Sequence, residues 1–577
     1  MPLHQYDYLL AIGTIFAALD AWNIGANDVA NSWATSVASH SVTYVQAMVL
    51  ASIMEFAGSL GVGARVADTI RTKVVDTSLF VDDPALLMLG MVCAVTASSL
   101  YLTMATRIGL PVSTTHSIMG GVIGMGVAAV GADGVQWVGK GSGVNSVNSG
   151  VVQVFLAWII APGLAGAFGA IIFLITKYGV MVRSNPVWKA FFTVPIYFGI
   201  TACLLTMLLL WKGGGYTITL TDAEVAGTIV GVGAGFAIFI AIVLMPWLYR
   251  VVIKDDWQLR WWHIPMGPLL LRRPDPPANP EHTAIQDFYA GHLTKEELDA
   301  RRAAENGDVE VVGEGTATEK KADVLEGSAD SDDGRPQRPQ IKKIVGPKPE
   351  GKWHSGPVLF WYVKWALLRG IDQDVVSAQN RKDVLSGDLE ELHAHAAHYD
   401  NRAEYMYSFL QVMTASVASF THGANDIANA IGPYATVFQI WEEERVPAAG
   451  KSQVPTWILA FGGACLVIGL WTYGYNIMRN LGNRITLHSP SRGFSMELGS
   501  AVTIILATRL KLPISTTQCI TGATVGVGLC SGTWRTINWR MVAWIYMGWF
   551  ITLPVTGIIS GCLMGIIINA PRWGYGN

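Results

Sequence analysis

The chain has 577 residues, of which 51% are hydrophobic and only 14% are charged. Soluble globular proteins carry roughly 25% charged residues, and a soluble chain of this length needs several cores and a far more charged surface. The composition therefore excludes a soluble protein and predicts an all-α polytopic membrane protein, because many apolar runs approach the roughly 20 residues that cross a lipid bilayer. The net charge of −3 indicates nothing about partners, and no nucleic-acid partner is expected.

Apolar segments alternate with short polar turns on both sides of a long polar region. We predict about twelve membrane segments, at residues 7–30, 44–65, 86–106, 110–131, 151–177, 190–211, 224–249, 404–436, 455–475, 495–510, 513–531 and 541–569. This pattern divides the chain into a membrane half at 1–250, a central loop at 251–400 and a second membrane half at 401–577. Within the loop, residues 305–350 are of low complexity, and we expect them to be disordered.

The segment count and the basic residues together predict the orientation. Seven segments precede the central loop and five follow it, so the loop lies opposite the N-terminus and the two termini share a side. No Lys or Arg precedes the first segment, whereas Arg250, Lys254 and Arg260 follow the seventh. By the positive-inside rule the central loop is cytoplasmic and the termini are outside. Arg65 and Arg71 fall on the outer side, against the rule.

Two motifs occur twice, in the same order. GANDVANS begins at residue 25 and GANDIANA at residue 423, while ATRIGLPVSTTHS begins at 105 and ATRLKLPISTTQC at 507. Asp28 precedes Ser113 by 85 residues, and Asp426 precedes Ser515 by 89. This is an internal duplication. Because an odd number of segments separates equivalent points, the copies form inverted-topology repeats, which predicts a transporter with its site at the midplane between the halves.

The second motif of each copy is typical of a helix start. Pro takes the first turn, and the following Ser-Thr-Thr offers hydroxyl and free backbone N–H groups. In the first copy this start lies between two short apolar segments, which favours a re-entrant hairpin with its tip inside the protein. Such a tip combines donors with the positive end of a helix dipole, and these bind anions such as phosphate. An ordinary interhelical turn is the alternative, and the second matched copy argues against it.

The first motif places an acid inside an apolar segment. We expect Gly25 and Gly423 to permit a break in their helices. Asp28 shares a helix face with Asn31, and the second motif repeats this pairing. A membrane carboxylate usually marks an ion pathway or a partner, and carboxylate and amide oxygens suit a hard cation such as Na⁺. A structural Asp that caps a broken helix is the alternative.

Charge connects the two motifs. Phosphate at neutral pH carries between one and two negative charges, and the two aspartates add two more. Such a site in a medium of low dielectric requires cations, so anion and cation are expected to bind together, as in symport. His422 precedes the second GAND and His116 follows the first Ser-Thr-Thr. For both histidines, hydrogen bonding is favoured over a proton relay.

The duplicated GAND and PxSTT segments resemble the signature of the PiT family of inorganic phosphate transporters. The stretches LHQYDYLLAI, DPALLML and SPSRGFSMEL are most similar to the fungal plasma-membrane sodium/phosphate symporters. This resemblance implies Na⁺-coupled uptake of inorganic phosphate at the plasma membrane, without a cofactor or enzymatic activity. Carried over by motif, the phosphate-binding residues are Ser113, Thr114, Thr115, Ser515, Thr516 and Thr517, with Asn27 and Asn425, and the sodium-binding residues are Asp28, Asn31, Asp426, Asn429, Glu55 and Glu497.

Several other functions stay open on the sequence. Proton coupling and a phosphate sensor without transport are alternatives, and a homo-oligomer is neither indicated nor excluded. A channel with inverted repeats would not need the buried acids Asp28 and Asp426. An intramembrane aspartyl protease would leave the Ser-Thr-Thr tips without a role, and its usual sequence motifs are missing.

Overall fold

The computed structural model describes residues 3–72, 75–139, 150–212, 220–277, 285–310, 344–368, 370–373, 375–379, 384–447, 454–509 and 514–570. Within these residues the regular structure is helical, and the one β-like feature is an isolated bridge between Val75 and Val135. The predicted all-α fold is confirmed.

The predicted apolar segments of both membrane halves are helices. In the first half these are α1 (Asp7–Ala38), α2 (Tyr44–Thr72), α3 (Pro84–Ile108), α4 (Thr114–Val130), α5 (Val151–Thr176), α6 (Pro186–Lys212) and α7 (Asp222–Val243). The region after α7 contains the short helices α8 (Met245–Leu248), α9 (Lys295–Glu310), α10 (Gly356–Leu368), α11 (Val375–Gln379) and α12 (Leu389–Ala394). The second half consists of α13 (Asn401–Glu443), α14 (Thr456–Met478), α15 (Pro490–Arg509), α16 (Thr516–Ser531) and α17 (Trp539–Asn569).

Length and apolarity distinguish two groups among these helices. In the described part of the chain, 8 helical segments are long and apolar enough to cross a membrane, and they contain α1, α2, α3, α5, α6, α7, α14 and α17. The other four helices of the two halves differ: α4 and α16 have only 17 and 16 residues, and α13 and α15 carry many polar residues. The chain is thus a multi-pass membrane protein, while the total of about twelve segments stays a prediction.

Equivalent helices of the two copies run in opposite directions. At the start of α1, the Leu3 N–H donates to the Trp441 carbonyl near the end of α13, at 2.7 Å. At the other end, the Ser39 hydroxyl donates to Gln411 Oε1 in the first half of α13, also at 2.7 Å. Because α1 and α13 carry the same motif and are antiparallel, the predicted inverted repeat is confirmed.

The two copies are interlocked by reciprocal packing. Helix α1 packs against α14 as α13 packs against α2, and α4 packs against α17 as α16 packs against α5. The helices that carry the GAND and Ser-Thr-Thr residues, α1, α4, α13 and α16, therefore each have their main neighbour in the other copy. This exchange brings the two copies of both motifs into one core.

The glycines of the GAND motifs serve close packing. Helices α1 and α13 continue through the motifs without interruption, so the predicted helix breaks are wrong. A Cβ added at Gly25 would lie 2.0 Å from the Leu466 carbonyl oxygen, and one at Gly423 would lie 2.2 Å from the Glu55 carbonyl oxygen. Glycine is required because two helix backbones touch there, not because either helix bends.

The starts of α4 and α16 lie inside the protein. Helix α3 closes with Gly109 in the left-handed region at φ 76°, and Ser113 then caps the start of α4. Ser515 caps the start of α16 in the same way. The two serines are 0% and 2% exposed, respectively, so both helix starts are buried.

The polar central region carries helices that pack against one another. Arg301 and Arg302 of α9 pair with Glu390 of α12 and with Asp388, the N-cap of α12, at 2.7 Å and 2.8 Å. Within the segment that we expected to be disordered, α9 continues to Glu310 and residues 344–350 are described, while 311–343 lie outside the described residues.

Candidate functional site

The first amide of GANDVANS holds the tip of the first hairpin. Asn27 Nδ2 donates to the Leu110 carbonyl at 3.1 Å and to Thr106 Oγ1 at 3.3 Å, while Oδ1 accepts the Val112 N–H at 3.2 Å. Both ends of the amide are thus occupied, and Asn27 positions the tip in this conformation instead of offering a donor to phosphate. Asn425 occupies the equivalent position and is partly exposed. The equivalent stretch of the second tip, 510–513, lies outside the described residues.

The first residue of each tip helix bonds the aspartate of its own copy. Thr114 Oγ1 donates to Asp28 Oδ2 at 3.0 Å, and Thr516 Oγ1 donates to Asp426 Oδ2 at 2.7 Å. The serines before them act differently, because Ser113 Oγ accepts the His116 N–H at 3.3 Å and Ser515 Oγ accepts the Gln518 N–H at 3.4 Å. Both serines are therefore N-caps, as Ser before a helix usually is.

Further hydrogen bonds join the two copies. From the second copy, Thr517 Oγ1 donates to Asp28 Oδ1 at 3.3 Å and accepts from Asn31 Nδ2 at 2.8 Å. In return, Asn429 Nδ2 donates to the hydroxyls of Thr114 and Thr115 at 3.1 Å and 3.2 Å. We call this group the central site; it consists of Asp28, Asn31, Thr114, Thr115, Asp426, Asn429, Thr516 and Thr517. Its members come from α1, α4, α13 and α16, so neither copy forms it alone.

His422 lies among three carboxylates next to the central site. Its Nε2 is 3.0 Å from Asp426 Oδ2 and 3.5 Å from Asp28 Oδ2, and its Nδ1 is 3.3 Å from Glu55 Oε2. Asp28, His422 and Asp426 each direct a ligand atom to within 4.8 Å of the others, which is an arrangement able to hold a metal ion. The sequence drew attention to His422 by its position, but not to this contact with three acids.

Glu55 belongs to this cluster, and Glu497 does not. Glu55 Oε1 accepts the Ser419 hydroxyl at 3.2 Å, and Ser419 in turn accepts the Trp33 indole N–H at 3.1 Å. Glu497 lies elsewhere, between α15 and the ends of α1 and α13. Its carboxylate accepts hydrogen bonds only from neutral groups among the described residues, namely Thr35 at 2.6 Å, Ser36 at 2.8 Å, Gln411 at 3.3 Å and Thr414 at 2.5 Å.

The carboxylates and the imidazole of this cluster are buried, since Asp28, Glu55 and His422 are at most 1% exposed. Among the described residues, Glu55 Oε2 and the ring nitrogens of His422 have no hydrogen-bond partner beyond the ion-pair contacts given above, and Asn31 Oδ1 has none. Leaving a buried acceptor such as Asn31 Oδ1 without a partner costs about 1–3 kcal/mol. A free acceptor beside two aspartates favours a cation as the ligand, while the N-termini of α4 and α16 offer donors to an anion.

The structure therefore brings together most of the predicted residues. The threonines of both tips, both GAND aspartates, Asn31, Asn429 and Glu55 converge, whereas Glu497 forms a separate group and Ser113 and Ser515 cap their helices. Sequence reasoning missed Ser419 and Trp33, which are ordinary residues in apolar helices. It also missed Asp20, a further membrane acid that is 0% exposed. The signal for Asp20 was available, since it is an acid in the first apolar segment.

These features define a class of protein. Interlocked inverted repeats, two buried helix starts and a cluster of acids at their meeting point are the architecture of a secondary transporter. A family model described as "Phosphate transporter family" matches residues 24–560. The chain belongs to this phosphate transporter family, which confirms the resemblance found in the sequence and makes it a membrane transporter rather than an enzyme.

Individual relatives agree with this assignment. The chain is 75% identical over the full length of both proteins to the phosphate-repressible phosphate permease pho-4 of Neurospora crassa. It is 27% identical to the sodium-dependent phosphate transporter 1 of Mus musculus, with 98% of this chain and 96% of that protein covered. A solved structure titled "The sodium-dependent phosphate transporter" matches with a TM-score of 0.62 at 23% identity, covering 98% of this chain and all of that one. This likeness shows that the fold is shared.

Proposed function

We propose that this protein is a Na⁺-coupled symporter that carries inorganic phosphate into the cell through one midplane site shared by the two repeats. The observation that carries the proposal is the set of hydrogen bonds between the two copies, in which Thr517 donates to Asp28 and Asn429 donates to Thr114. A site that needs both copies is the one place where a single substrate is held by two halves that move against each other.

The phosphate is proposed to lie between the starts of α4 and α16. Each start directs backbone N–H groups and threonine hydroxyls toward the central site, and a helix N-terminus favours negative charge. Thr114, Thr115, Thr516 and Thr517 are the proposed donors, and Ser113 and Ser515 shape the helix starts that carry them. The relative from Neurospora crassa is named a phosphate permease, which supports this substrate.

Sodium ions are proposed to bind the carboxylates and amides beside the phosphate. Asp28, Asp426 and Glu55 surround a single imidazole, so even a protonated His422 leaves two negative charges uncompensated. Phosphate adds one to two more. The proposed sodium ligands are Asp28, Asn31, Asp426, Asn429 and Glu55 at the central site, and Glu497 at its own group of hydroxyls. The named sodium dependence of the mammalian relatives supports Na⁺ as the cation.

The threonine–aspartate pairs provide a reason for coupling. In this conformation the hydroxyls of Thr114 and Thr516 donate hydrogen bonds to the carboxylates of Asp28 and Asp426. A sodium ion on each carboxylate would replace that donor, and the freed hydroxyl would then turn to the phosphate. Each hydrogen bond to a charged group contributes about 1.5–3 kcal/mol, so cation binding and anion binding assist each other.

The cellular location of the protein and its orientation in the membrane are part of the same proposal. We place the protein in the plasma membrane, with the termini outside and residues 251–400 in the cytoplasm between the membrane halves 1–250 and 401–577.

The test is uptake of radiolabelled phosphate by proteoliposomes that contain the purified protein. Na⁺ and pH gradients are imposed separately, with a choline gradient as the control. Uptake that requires an inward Na⁺ gradient and saturates with phosphate is expected. Uptake that follows the pH gradient alone would establish proton coupling instead. Phosphate binding without uptake under either gradient would show a sensor and contradict transport.

A further inference from the structure

A second group of buried acceptors lies on α1, about two turns before Asp28 of the GAND motif. Asp20 is 0% exposed, and neither of its carboxylate oxygens has a hydrogen-bond partner among the described residues. The Ser98 hydroxyl of α3 lies beside this carboxylate and itself donates to Ser117 Oγ at 3.0 Å. The lone pairs of the Ser98 oxygen therefore remain available next to Asp20.

Asn23 adds a further acceptor on the same helix face, three residues later. Its Nδ2 is surrounded by the carbonyls of Leu19 at 2.9 Å and Ser99 at 3.1 Å and by Thr103 Oγ1 at 2.9 Å. Because two of these partners are carbonyls, which only accept, the NH₂ group must point toward them. The Oδ1 of Asn23 consequently points away and has no partner among the described residues, although the side chain is 0% exposed.

No positive side chain in the described part of the chain compensates the carboxylate of Asp20. Among the described residues no Lys, Arg or His lies within ion-pairing distance of Asp20, and Asp28 is a second negative charge that acts on it. A buried, uncompensated carboxylate is strongly unfavourable, and further acceptors such as Asn23 Oδ1 cannot relieve it. A cation bound beside Asp20 would compensate its charge and accept the lone pairs of neighbouring acceptors.

We propose that Asp20, Asn23 and Ser98 form a sodium site that is separate from the GAND aspartates. The ligands are all oxygens, which suits a hard cation. A single carboxylate balances a single positive charge, whereas Ca²⁺ or Mg²⁺ would leave an excess charge in a buried place. The site is a feature of the first copy only, because Ala418 and Thr421 occupy the equivalent positions of α13.

The position on α1 indicates a role in cation entry. Asp20, Asn23, Asn27 and Asn31 follow one another at intervals of three or four residues and so share one face of the helix. Asp20 lies eight residues before Asp28, which corresponds to roughly 12 Å along the helix. In the proposed orientation, which is part of the proposed function, Asp20 lies between the outer membrane face and the central site. A cation that enters from outside would reach it first.

The test counts bound ²²Na⁺ per purified full-length chain in detergent, without phosphate. The variants are Asp20→Asn, Asp28→Asn and, as a matched control at an exposed position, Asp222→Asn. We expect Asp20→Asn to bind one Na⁺ fewer than the wild type, Asp28→Asn also to bind fewer, and Asp222→Asn to bind the same number. An unchanged count in Asp20→Asn with a lowered count in Asp28→Asn would overturn this inference and leave the proposed function intact. Unchanged counts in both variants would overturn both.

A second measurement covers the case in which Asp20→Asn does not fold. Ser98→Ala keeps the carboxylate and removes one oxygen, so we expect one Na⁺ to bind about 10-fold more weakly, in line with the loss of one polar contact to a charge. An unchanged Na⁺ affinity would contradict the site. The infrared spectrum of the wild type then identifies the alternative state. A carboxylic-acid band of the wild type that shifts in Ser98→Ala and persists at saturating Na⁺ shows a protonated Asp20, and this result would overturn the proposal.

Discussion

The two repeats have the same hydrogen bonds at the helix starts of the central site and different charges around them. Thr114 bonds Asp28 as Thr516 bonds Asp426, and Asn31 and Asn429 each reach a threonine of the other copy. These bonds repeat because both copies have the same residues in their motifs. The part of the site that is proposed to hold the substrate is therefore symmetric in chemistry.

The charged residues around this part do not repeat. His422 stands where the first copy has Ile24, and Asp20 stands where the second has Ala418. Gly423 packs against the backbone of Glu55, whereas Gly25 packs against that of Leu466. The first copy thus contributes more acids, and the second contributes the only imidazole in contact with them among the described residues. The residues that the two copies share therefore account for the threonine–aspartate pairs at both helix starts, and the residues that differ between the copies determine the charge around them.

The largest expected effect tests the symmetric part. Asp28→Asn and Asp426→Asn should each lower Na⁺-driven phosphate uptake by at least about 100-fold, because removing one charge from a buried ionic group typically costs 3–5 kcal/mol. Uptake into proteoliposomes, with Asp222→Asn as an exposed control, measures this. Near-normal uptake in one variant alone would show that only one copy binds the cation and would break the symmetry.

A smaller effect is expected from the threonines that are proposed to link anion and cation. Thr114→Val and Thr516→Val each remove one donor to a charged ligand, so each should weaken phosphate binding by about 1–3 kcal/mol. The losses should be non-additive by at least about 0.5 kcal/mol in the double variant, because both threonines act on one ligand. Phosphate affinity at fixed Na⁺ measures the cycle.

Thr524→Val is the matched control for this cycle. Thr524 lies on α16 like Thr516, but its hydroxyl donates only to the Ile520 carbonyl one turn earlier, at 2.8 Å. This variant should keep the wild-type affinity for phosphate. Strict additivity of Thr114→Val and Thr516→Val, or two phosphates bound per chain, would contradict a shared site.

The same comparison explains which features the sequence could predict. The duplicated motifs predicted the inverted repeat. They also predicted both helix starts, because Pro-x-Ser-Thr-Thr determines a local N-cap that needs no distant partner. Hydropathy located the membrane helices because burial in lipid depends on composition. The hydrogen bond between Asp28 and Thr517, by contrast, connects residues that are 489 positions apart in the sequence. Only the interlocked packing of the two copies brings these residues together.

Other features could not be predicted from the sequence, because one residue type can serve several structural purposes. Gly25 and Gly423 suggested broken helices, yet their helices are continuous and the glycines allow the close contact of two backbones. Asp20 has no counterpart in the second copy, so a search guided by duplication passed over it. The three acids around His422 come from three helices, α1, α2 and α13, and no local spacing indicates such a group.

A third prediction contrasts the membrane core with the central region. His393 of α12 is buried, with Nε2 2.7 Å from the Asn483 carbonyl and Nδ1 3.1 Å from His292 Nδ1, and burial lowers its pKa to about 4. A histidine that titrates near 6.5 when unfolded then stabilises the fold above that pH and loses this stabilisation as the pH falls toward 4. From pH 7 to pH 5 the loss is about 2 kcal/mol for this group.

The measurement is the unfolding of purified protein as a function of pH. We expect His393→Asn to flatten the decline between pH 6.5 and pH 4, whereas the same change at the exposed His354 should leave it unaltered. If wild type and His393→Asn lose stability in parallel over this range, the attachment of α12 to the end of α14 does not depend on a neutral His393.

The smallest effect concerns the serines of the two tips, and it separates capping from ligand binding. Ser113 and Ser515 accept backbone N–H groups at 3.3 Å and 3.4 Å, which are long for hydrogen bonds. Ser113→Ala and Ser515→Ala should therefore lower the free energy of unfolding by about 1 kcal/mol or less, at the weak end of N-cap substitutions. Phosphate affinity should fall less than in Thr114→Val and Thr516→Val, and by similar amounts in both copies. If either serine variant loses more phosphate affinity than its threonine neighbour, then that hydroxyl binds phosphate directly, and the division between capping serines and binding threonines is wrong.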